Sequence, residues 1–511
     1  LADYPGHLAR IHILHDLLTE GVFAPWYRLQ LALVPNLGAD AAVLALRLLG
    51  LPTETAGRLF VALLVLLLGV GVLRLHRTLF GRPSIVPVLA FAVIYTRCFM
   101  WGFLSYLLGL GLLLLAFDTW LRLRRRPTLA PSAAWLAAAA ALLFLVHLMP
   151  SFLLAGLALS YEAGTIAWAV WQRRPMPPRR AAARIAACLP AVTVLLLLFA
   201  ATPQATGSNP VPHHILATIL AGIPSRLWRL AHVLDAYAPL ADPLTTLLLA
   251  ATLAGALATR RLRLAPAMLP GILGLTALFL VVPEEWAGTA MIAERLPFAI
   301  LLLALASIDI RPAGLPWRAA LAGLVLALVL IRGQAAATAW ARAGRAYAPI
   351  LAAFDTMPEG ASIYGIMNVD GSTWSELRLP WRRFATMAVI RRNAFSPDVF
   401  ADPTQNLVVI RQPCAGPPFA SLGNNAVHGA PEPEPQSDML RPDLLARFGY
   451  LLAQRPDLYQ HPLPPRLPGR AGDVRHAAVV HDEAGLRAGA GKLHRDRQLP
   501  GSAEGGSHDQ S

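Results

Sequence analysis

Ten apolar runs, each followed or preceded by a short polar connection, occupy residues 57–73, 84–99, 102–121, 131–147, 151–171, 184–202, 239–258, 266–282, 296–309 and 316–332. About 20 apolar residues suffice to cross roughly 30 Å of hydrocarbon as a helix, so runs of this length restrict the chain to a bundle of membrane-spanning helices. Composition agrees: 56% of the residues are hydrophobic and 14% are charged, far below the roughly 25% charge of ordinary soluble domains. The formal charge of +14 does not form one basic face. It falls in five clusters between runs: Arg74, His76, Arg77 and Arg82; Arg122 and Arg124 to Arg126; Arg173, Arg174, Arg179, Arg180 and Arg184; Arg260, Arg261 and Arg263; and Arg311 with Arg318. These clusters sit on every second connection. Loops rich in arginine resist translocation, so all five are expected on the cytoplasmic face of an inner membrane, and a nucleic-acid partner is not indicated. The expected fold is an all-α polytopic bundle with a small mixed extracytoplasmic domain at its C-terminal end.

The division of the chain follows. Residues 1–55 form a first extracytoplasmic segment, 56–332 the transmembrane domain, 333–410 a small extracytoplasmic domain, and 411–511 a Pro- and Gly-rich tail expected to be largely disordered. In the first segment, Leu8, Ile11, Leu14, Leu17 and Leu18 recur at helical spacing, which predicts a helix lying on the membrane surface. A second short amphipathic piece is expected over 36–50. Residues 333–355 read as a helix with Trp340, Tyr347 and Phe354 near one face, and Ser362 to Ile366 and Asn406 to Ile410 read as strands. Cys98, Cys188 and Cys414 are far apart, which points to neither a disulfide framework nor a metal site. No Walker loop, dinucleotide fingerprint, zinc-helix motif or nucleophile elbow is present.

Chemistry is concentrated in the outer segments. Asp3, His7, Arg10, His12, His15, Asp16 and Glu20 follow one another at the chain start; helical spacing groups His7 with Arg10 and His12 with Asp16 and Glu20. Such residues form either a solvated helix face with a dipole-favoured N-terminal acid or a reactive group. The loop before the ninth run carries Glu284, Glu285, Glu294 and Arg295, with Arg295 either a phosphate clamp or an interfacial anchor paired with Glu294. His147 ends a run where the chain reverses at Met149 and Pro150, and reads as a cavity-facing group or a packing histidine. His213 and His214 lie in the long outer loop. The run Trp101 to Tyr106 and the glycines Gly109 and Gly111 are expected to pack helices closely.

The order of Asp3-Tyr4-Pro5, the Gly102 to Leu115 run, a histidine at a helix end, Glu294-Arg295-Leu296-Pro297 and a terminal outer domain resembles bacterial membrane proteins related to the GT-C superfamily of glycosyltransferases, in an uncharacterised branch. The resemblance covers roughly residues 1 to 410. It implies transfer of a sugar from a polyprenyl-phosphate-type carrier to a glycan, lipid or protein acceptor on the extracytoplasmic face, with an acid of the first outer loop as base. That role falls on Asp3. Arg10, Arg295, His7 and His147 are then the expected donor-phosphate ligands, and Asp16, Glu294 and His213 expected substrate contacts. Asp3 has no second acid beside it, so no cofactor is expected, although a divalent metal stays open. The start at Leu1 suggests a missing first span, giving eleven in the intact protein. A transporter or flippase for a lipid-linked or polymeric substrate, with charges near the bilayer midplane and an internal repeat, and a non-catalytic envelope scaffold are the competing expectations.

Overall fold

The computed structural model describes residues 1–202, 215–236, 238, 240–283, 291–311, 314–366, 380–401, 403, 405–411, 450–454 and 476–480. In chain order these form α1 (Tyr4–Thr19), β1 (Tyr27–Leu29), α2 (Gly38–Leu48), α3 (Thr53–Phe80), α4 (Ala90–Val93), α5 (Arg97–Trp101), α6 (Leu104–Leu123), α7 (Ala130–Val146), α8 (Leu148–Trp171), α9 (Pro178–Ala186) and α10 (Leu189–Ala201). They continue with α11 (Ile215–Ala231), α12 (Ala241–Ala258), β2 (Leu262–Leu264), α13 (Leu269–Val281), α14 (Ile292–Ser307), β3 (Ile308–Ile310), α15 (Leu315–Phe354), β4 (Ile363–Ile366), α16 (Met387–Arg392), β5 (Val408–Ile410), β6 (Tyr450–Gln454) and β7 (His476–Val480).

The molecule is mostly helical with little sheet, and every one of the ten apolar runs is helical or largely so. Among the described residues, six helices are long and apolar enough to cross a membrane: Thr53–Phe80, Leu104–Leu123, Leu148–Trp171, Pro178–Ala201, Ala241–Ala258 and Leu315–Phe354. Prolines open several of the helices, including α7, α10, α13 and α15, where a missing N–H has no intrahelical partner to lose. Gly81 ends α3 at φ 69°, a conformation that favours glycine.

Between α3 and α6 small residues set the approach. A Cβ on Gly71 would lie 2.9 Å from the Leu114 Cβ, and one on Gly111 2.8 Å from the Leu67 Cγ, the close contact expected where lipid gives no solvophobic drive and packing decides. Gly164 of α8 is tighter still, because its neighbour is backbone: a Cβ there would stand 2.5 Å from the Ala267 carbonyl oxygen. Gly164→Ala should therefore destabilise by about 1–3 kcal/mol, read as a lower melting midpoint in detergent; an unchanged midpoint would mean that the 266–268 turn shifts freely.

The second apolar run is broken. Thr96 is extended (φ −119°, ψ 173°) and caps α5 by accepting from the Phe99 N–H. The break frees carbonyls, and Arg332 of α15 takes them: its guanidinium donates to the Ala92 oxygen (3.2 Å), the Tyr95 oxygen and the Leu234 oxygen (2.9 Å), and pairs with the Asp242 carboxylate at the start of α12. Non-helical backbone at membrane depth persists only where such groups are satisfied.

The five basic clusters meet at one end of the bundle. Asp118 accepts from Thr78, Arg74 and Arg122; Glu162 holds Arg124 at 2.7 Å and Arg184 at 3.3 Å; Asp309, beside the β2–β3 ladder, pairs with Arg82 and Arg311. Arg261 donates to the Arg311 oxygen, so the clusters are joined pairwise, as the alternation of loops requires.

At the other end, residues from both ends of the sequence interleave. β1 pairs antiparallel with β5, Tyr27 opposite Ile410 and Leu29 opposite Val408. A core of Ala9, Ile13, Leu14, Phe23, Tyr27, Phe395, Val399 and Val408 lies beneath, and the Tyr27 hydroxyl donates to the Ser396 oxygen at 2.7 Å. The first segment and the segment after α15 thus make one layer. This corrects the expectation of a surface helix: α1 is enclosed, with Leu8 and Ile11 in the bundle core and Ala9, Ile13 and Leu14 in the outer core. The helix expected at 333–355 is the continuation of the last apolar run, since α15 runs unbroken for 40 residues. Tyr347 and Phe354 are buried in it, whereas Trp340 stacks on Phe99. Within the tail expected to be largely disordered, β6 and β7 join β4 in a parallel sheet of order β4-β6-β7. The rest of that tail lies outside the described residues.

Candidate active site

Asp3 stands at the start of α1 with its carboxylate making no cap bond to the helix. The chain there is pinned to the break between α5 and α6: the Ala2 N–H donates to the Met100 oxygen at 2.8 Å and the Asp3 N–H to the Trp101 oxygen at 3.0 Å. Gly102, at φ 81°, forms that turn, and a Cβ on it would lie 3.4 Å from the Asp3 nitrogen. Asp3 Oδ1 faces Arg383 Nε at 3.7 Å, beyond hydrogen-bond range.

Arg383 comes from the outer layer and is buried. Its Nη1 donates to the Asp398 carbonyl, and its guanidinium lies 3.9 Å above the Phe400 ring. Arg10 lies 5.6 Å from the same ring centroid and the His7 ring 4.7 Å from it. Arg10 Nη2 donates to Asp40 Oδ1 at 2.7 Å and lies 3.2 Å from His7 Nδ1. Since Arg can only donate, His7 Nδ1 accepts and the imidazole is neutral in this arrangement.

Burial first, then the charges of Arg10 and Arg383, hold the His7 pKa well below its ordinary value. The sign follows from proton linkage: the unfolded chain binds a proton that the folded one refuses, so stability falls as pH drops below about 6.5, the ordinary imidazole value. His12, lowered chiefly by burial, acts in the same direction. His7→Asn should therefore reduce, and His7→Asn with His12→Asn reduce further, the loss of thermal stability between pH 7 and 5. An unaltered slope in both would place the acid lability elsewhere.

On the bundle side, Arg295 at the start of α14 lies 4.3 Å over the Phe103 ring and 6.0 Å from the Tyr106 ring. The Tyr106 hydroxyl donates to the Arg295 carbonyl at 2.9 Å, which fixes the backbone. Among the described residues, Arg295 Nε and Nη1 have no hydrogen-bond acceptor. Glu294 does not pair with Arg295; it lies 3.7 Å from Arg97 and 3.5 Å from Arg229. His147 accepts from the Met149 N–H at 3.2 Å, capping α8, and its ring meets Tyr106 edge-on at 5.5 Å.

Asp3, His7, Arg10, Arg295 and His147 thus belong to one connected neighbourhood running from Phe400 through Trp101 and Phe103 to Tyr106. Asp16 does not join it, because its two oxygens accept from the Val22 and Phe23 N–H groups at 3.2 and 2.9 Å and hold the turn into β1. His213 lies outside the described residues. Among the described residues no three His, Cys, Asp or Glu side chains gather as a metal set. Arg383, Phe400 and Asp40 were not singled out by the sequence, and Tyr106 only as part of a packing run. Arg383 sits in an ordinary basic doublet with Arg382, and no spacing links it to Asp3. The arrangement supplies one carboxylate able to accept a proton and guanidinium donors able to neutralise an anion. No protein-family model, no curated protein and no solved structure matches this chain.

Proposed function

We propose that this chain is an integral inner-membrane glycosyltransferase of the GT-C type, spanning the membrane ten times over these residues, with its C-terminal layer extracytoplasmic. Its donor is a sugar on a polyprenyl-phosphate-type lipid and its acceptor a hydroxyl of a glycan, lipid or protein. Asp3 removes the acceptor proton, the acceptor oxygen bonds to the anomeric carbon, and the bond from that carbon to the phosphate oxygen breaks. The departing phosphate is neutralised by Arg295, with His147 beside it, while Arg10 and His7 support the wall around Phe400. The single observation that carries the reading is that Asp3, held through its N–H by Trp101, and Arg295, seated over Phe103 with donors unsatisfied among the described residues, flank the same Trp101–Phe103 turn at the end of the bundle opposite the basic loops. A preorganised base and anion clamp are what an in-line displacement requires.

A scaffold would leave these groups dispersed. A flippase would use charge within the bundle, yet the deep Arg332–Asp242 pair is engaged with backbone carbonyls. The test is an assay in proteoliposomes with a panel of radiolabelled polyprenyl-phosphate sugars. Wild-type product formation that disappears in Asp3→Asn and falls in Arg295→Gln supports the assignment; lipid translocation without any glycosyl product would replace it.

A further inference from the structure

A second polar cleft lies on the other side of α1. His12 follows Arg10 by two residues, which turns it about 200° around the helix, away from the Asp3 neighbourhood. An open cleft of about 380 Å³ there is lined by His12, Arg47, Thr53, Glu54, Arg58 and Arg391. Three guanidinium groups face one carboxylate. Glu54 is shared between Arg58 at 3.2 Å and Arg391 at 3.4 Å, and Arg391 also reaches Asp355 at 2.7 Å. Arg47 has no carboxylate within ion-pair distance among the described residues. It donates to the Leu51 oxygen at 3.0 Å and to His15 Nδ1 at 3.3 Å, and Glu20 acts on it only from beyond that distance.

Two of these cations carry an enclosed N–H with no acceptor among the described residues, Arg47 Nε and Arg391 Nε. Buried donors left unsatisfied are unfavourable, and an anion seated between them would satisfy both. The first turn of α3, uncapped by any side chain, forms the cleft floor and adds backbone N–H groups and a favourable dipole. His12 is not one of the cations: its two ring nitrogens face Thr53 Oγ1 at 3.1 Å and Asn393 Oδ1 at 3.3 Å. It braces the wall.

We infer that this cleft, at the outer end of α3, binds a phosphate group through Arg47, Arg58 and Arg391, separately from the Asp3 site. The phosphate belongs either to a phospholipid headgroup at the membrane surface or to a soluble phosphate compound. The inference does not rest on the transferase reading, since binding is measured without turnover.

The full-length chain, in neutral detergent, would be titrated with inorganic phosphate by calorimetry. In nanodiscs, retention of phosphatidylglycerol against phosphatidylcholine would be read by native mass spectrometry. Arg47→Gln and Arg58→Gln should each weaken binding roughly ten-fold or more, the loss expected for one charge-assisted contact. Glu54→Gln should tighten it, because the competing carboxylate is gone; a merely structural Glu54 would not do this. Arg58 is largely exposed, so its variant tests the cleft even where Arg47→Gln fails to fold. Phosphatidylglycerol retained at saturating phosphate identifies the headgroup; lipid displaced by phosphate identifies the soluble source. Binding of neither probe, or affinities unmoved by Arg58→Gln and Glu54→Gln, overturns the inference.

Discussion

Arg332→Leu should lower the stability of the protein more than any other single change considered, by about 3–5 kcal/mol, the range for breaking a buried ion pair from one side. Three effects act together. Asp242 keeps its hydrogen bonds from the Ala236 and Ala238 N–H groups but loses its counter-charge in a buried position. The Ala92 and Tyr95 carbonyls, freed by the break between α4 and α5, lose their donor. The Leu234 carbonyl loses a third contact, which unfastens the segment after α11. These losses are coupled, so they do not add. Arg332→Lys, with the charge but without the planar fork, should fall between the two, and adding Asp242→Asn to Arg332→Leu should restore part of the loss. The measurement is the unfolding midpoint and the monodisperse fraction after extraction. Destabilisation of Arg332→Leu below about 1 kcal/mol, the size of an ordinary substitution, would mean that the broken run holds its shape without this residue.

Asp3→Asn is expected to lower sugar transfer by roughly 10²–10⁴-fold, the range attributed to general bases, while leaving the fold intact. The prediction separates chemistry from structure because the Asp3 carboxylate makes no cap bond to α1 and its backbone N–H contact with Trp101 is unaffected by the substitution. Asparagine has the same shape but lacks the charge that faces Arg383 at 3.7 Å, so a stability loss of about 1 kcal/mol is expected, small beside the loss of transfer. Asp3→Glu retains a base but moves it by a methylene, and misplacement on the order of 1 Å is enough to lower rate about 10²-fold. If Asp3 serves only as a dipole-favoured acid on a helix, Asp3→Asn lowers the midpoint slightly and leaves transfer unchanged, and the proposed mechanism is lost.

The periodicity of the chain made the bundle legible because membrane thickness converts directly into run length. Arginine placement ordered the loops for an equally local reason, the charge of each short connection. The pairwise contacts of Asp118, Glu162 and Asp309 with their arginines, together with the bond from Arg261 to the Arg311 carbonyl, show the five basic clusters at one end, as that pattern implies. The grouping of His7 with Arg10, and of His12 away from them, was likewise readable from helical spacing within one turn or two. Spacing could not show that α1 would be enclosed. Its Leu8 and Ala9 faces meet two different cores, and the second core is completed by Phe395 and Val408 from the far end of the sequence.

The same boundary divides the candidate site. The residue types and their assignment to outer segments were determined by the sequence itself: one acid at the chain start, His7 and Arg10 along α1, His147 at a reversal, Arg295 before the ninth run. Tertiary structure decided which of these meet. It placed Arg295 over Phe103 with open donors, drew Glu294 away to Arg97 and Arg229, used Asp16 to hold a turn, and delivered Arg383 and Phe400 to Asp3. It also converted Arg332 from the polar edge of a run into the fastening of a broken helix. The physical reason is range: hydropathy, helical period and loop charge act over a few residues and are written along the chain, whereas satisfaction of a buried charge depends on a partner that only packing brings near.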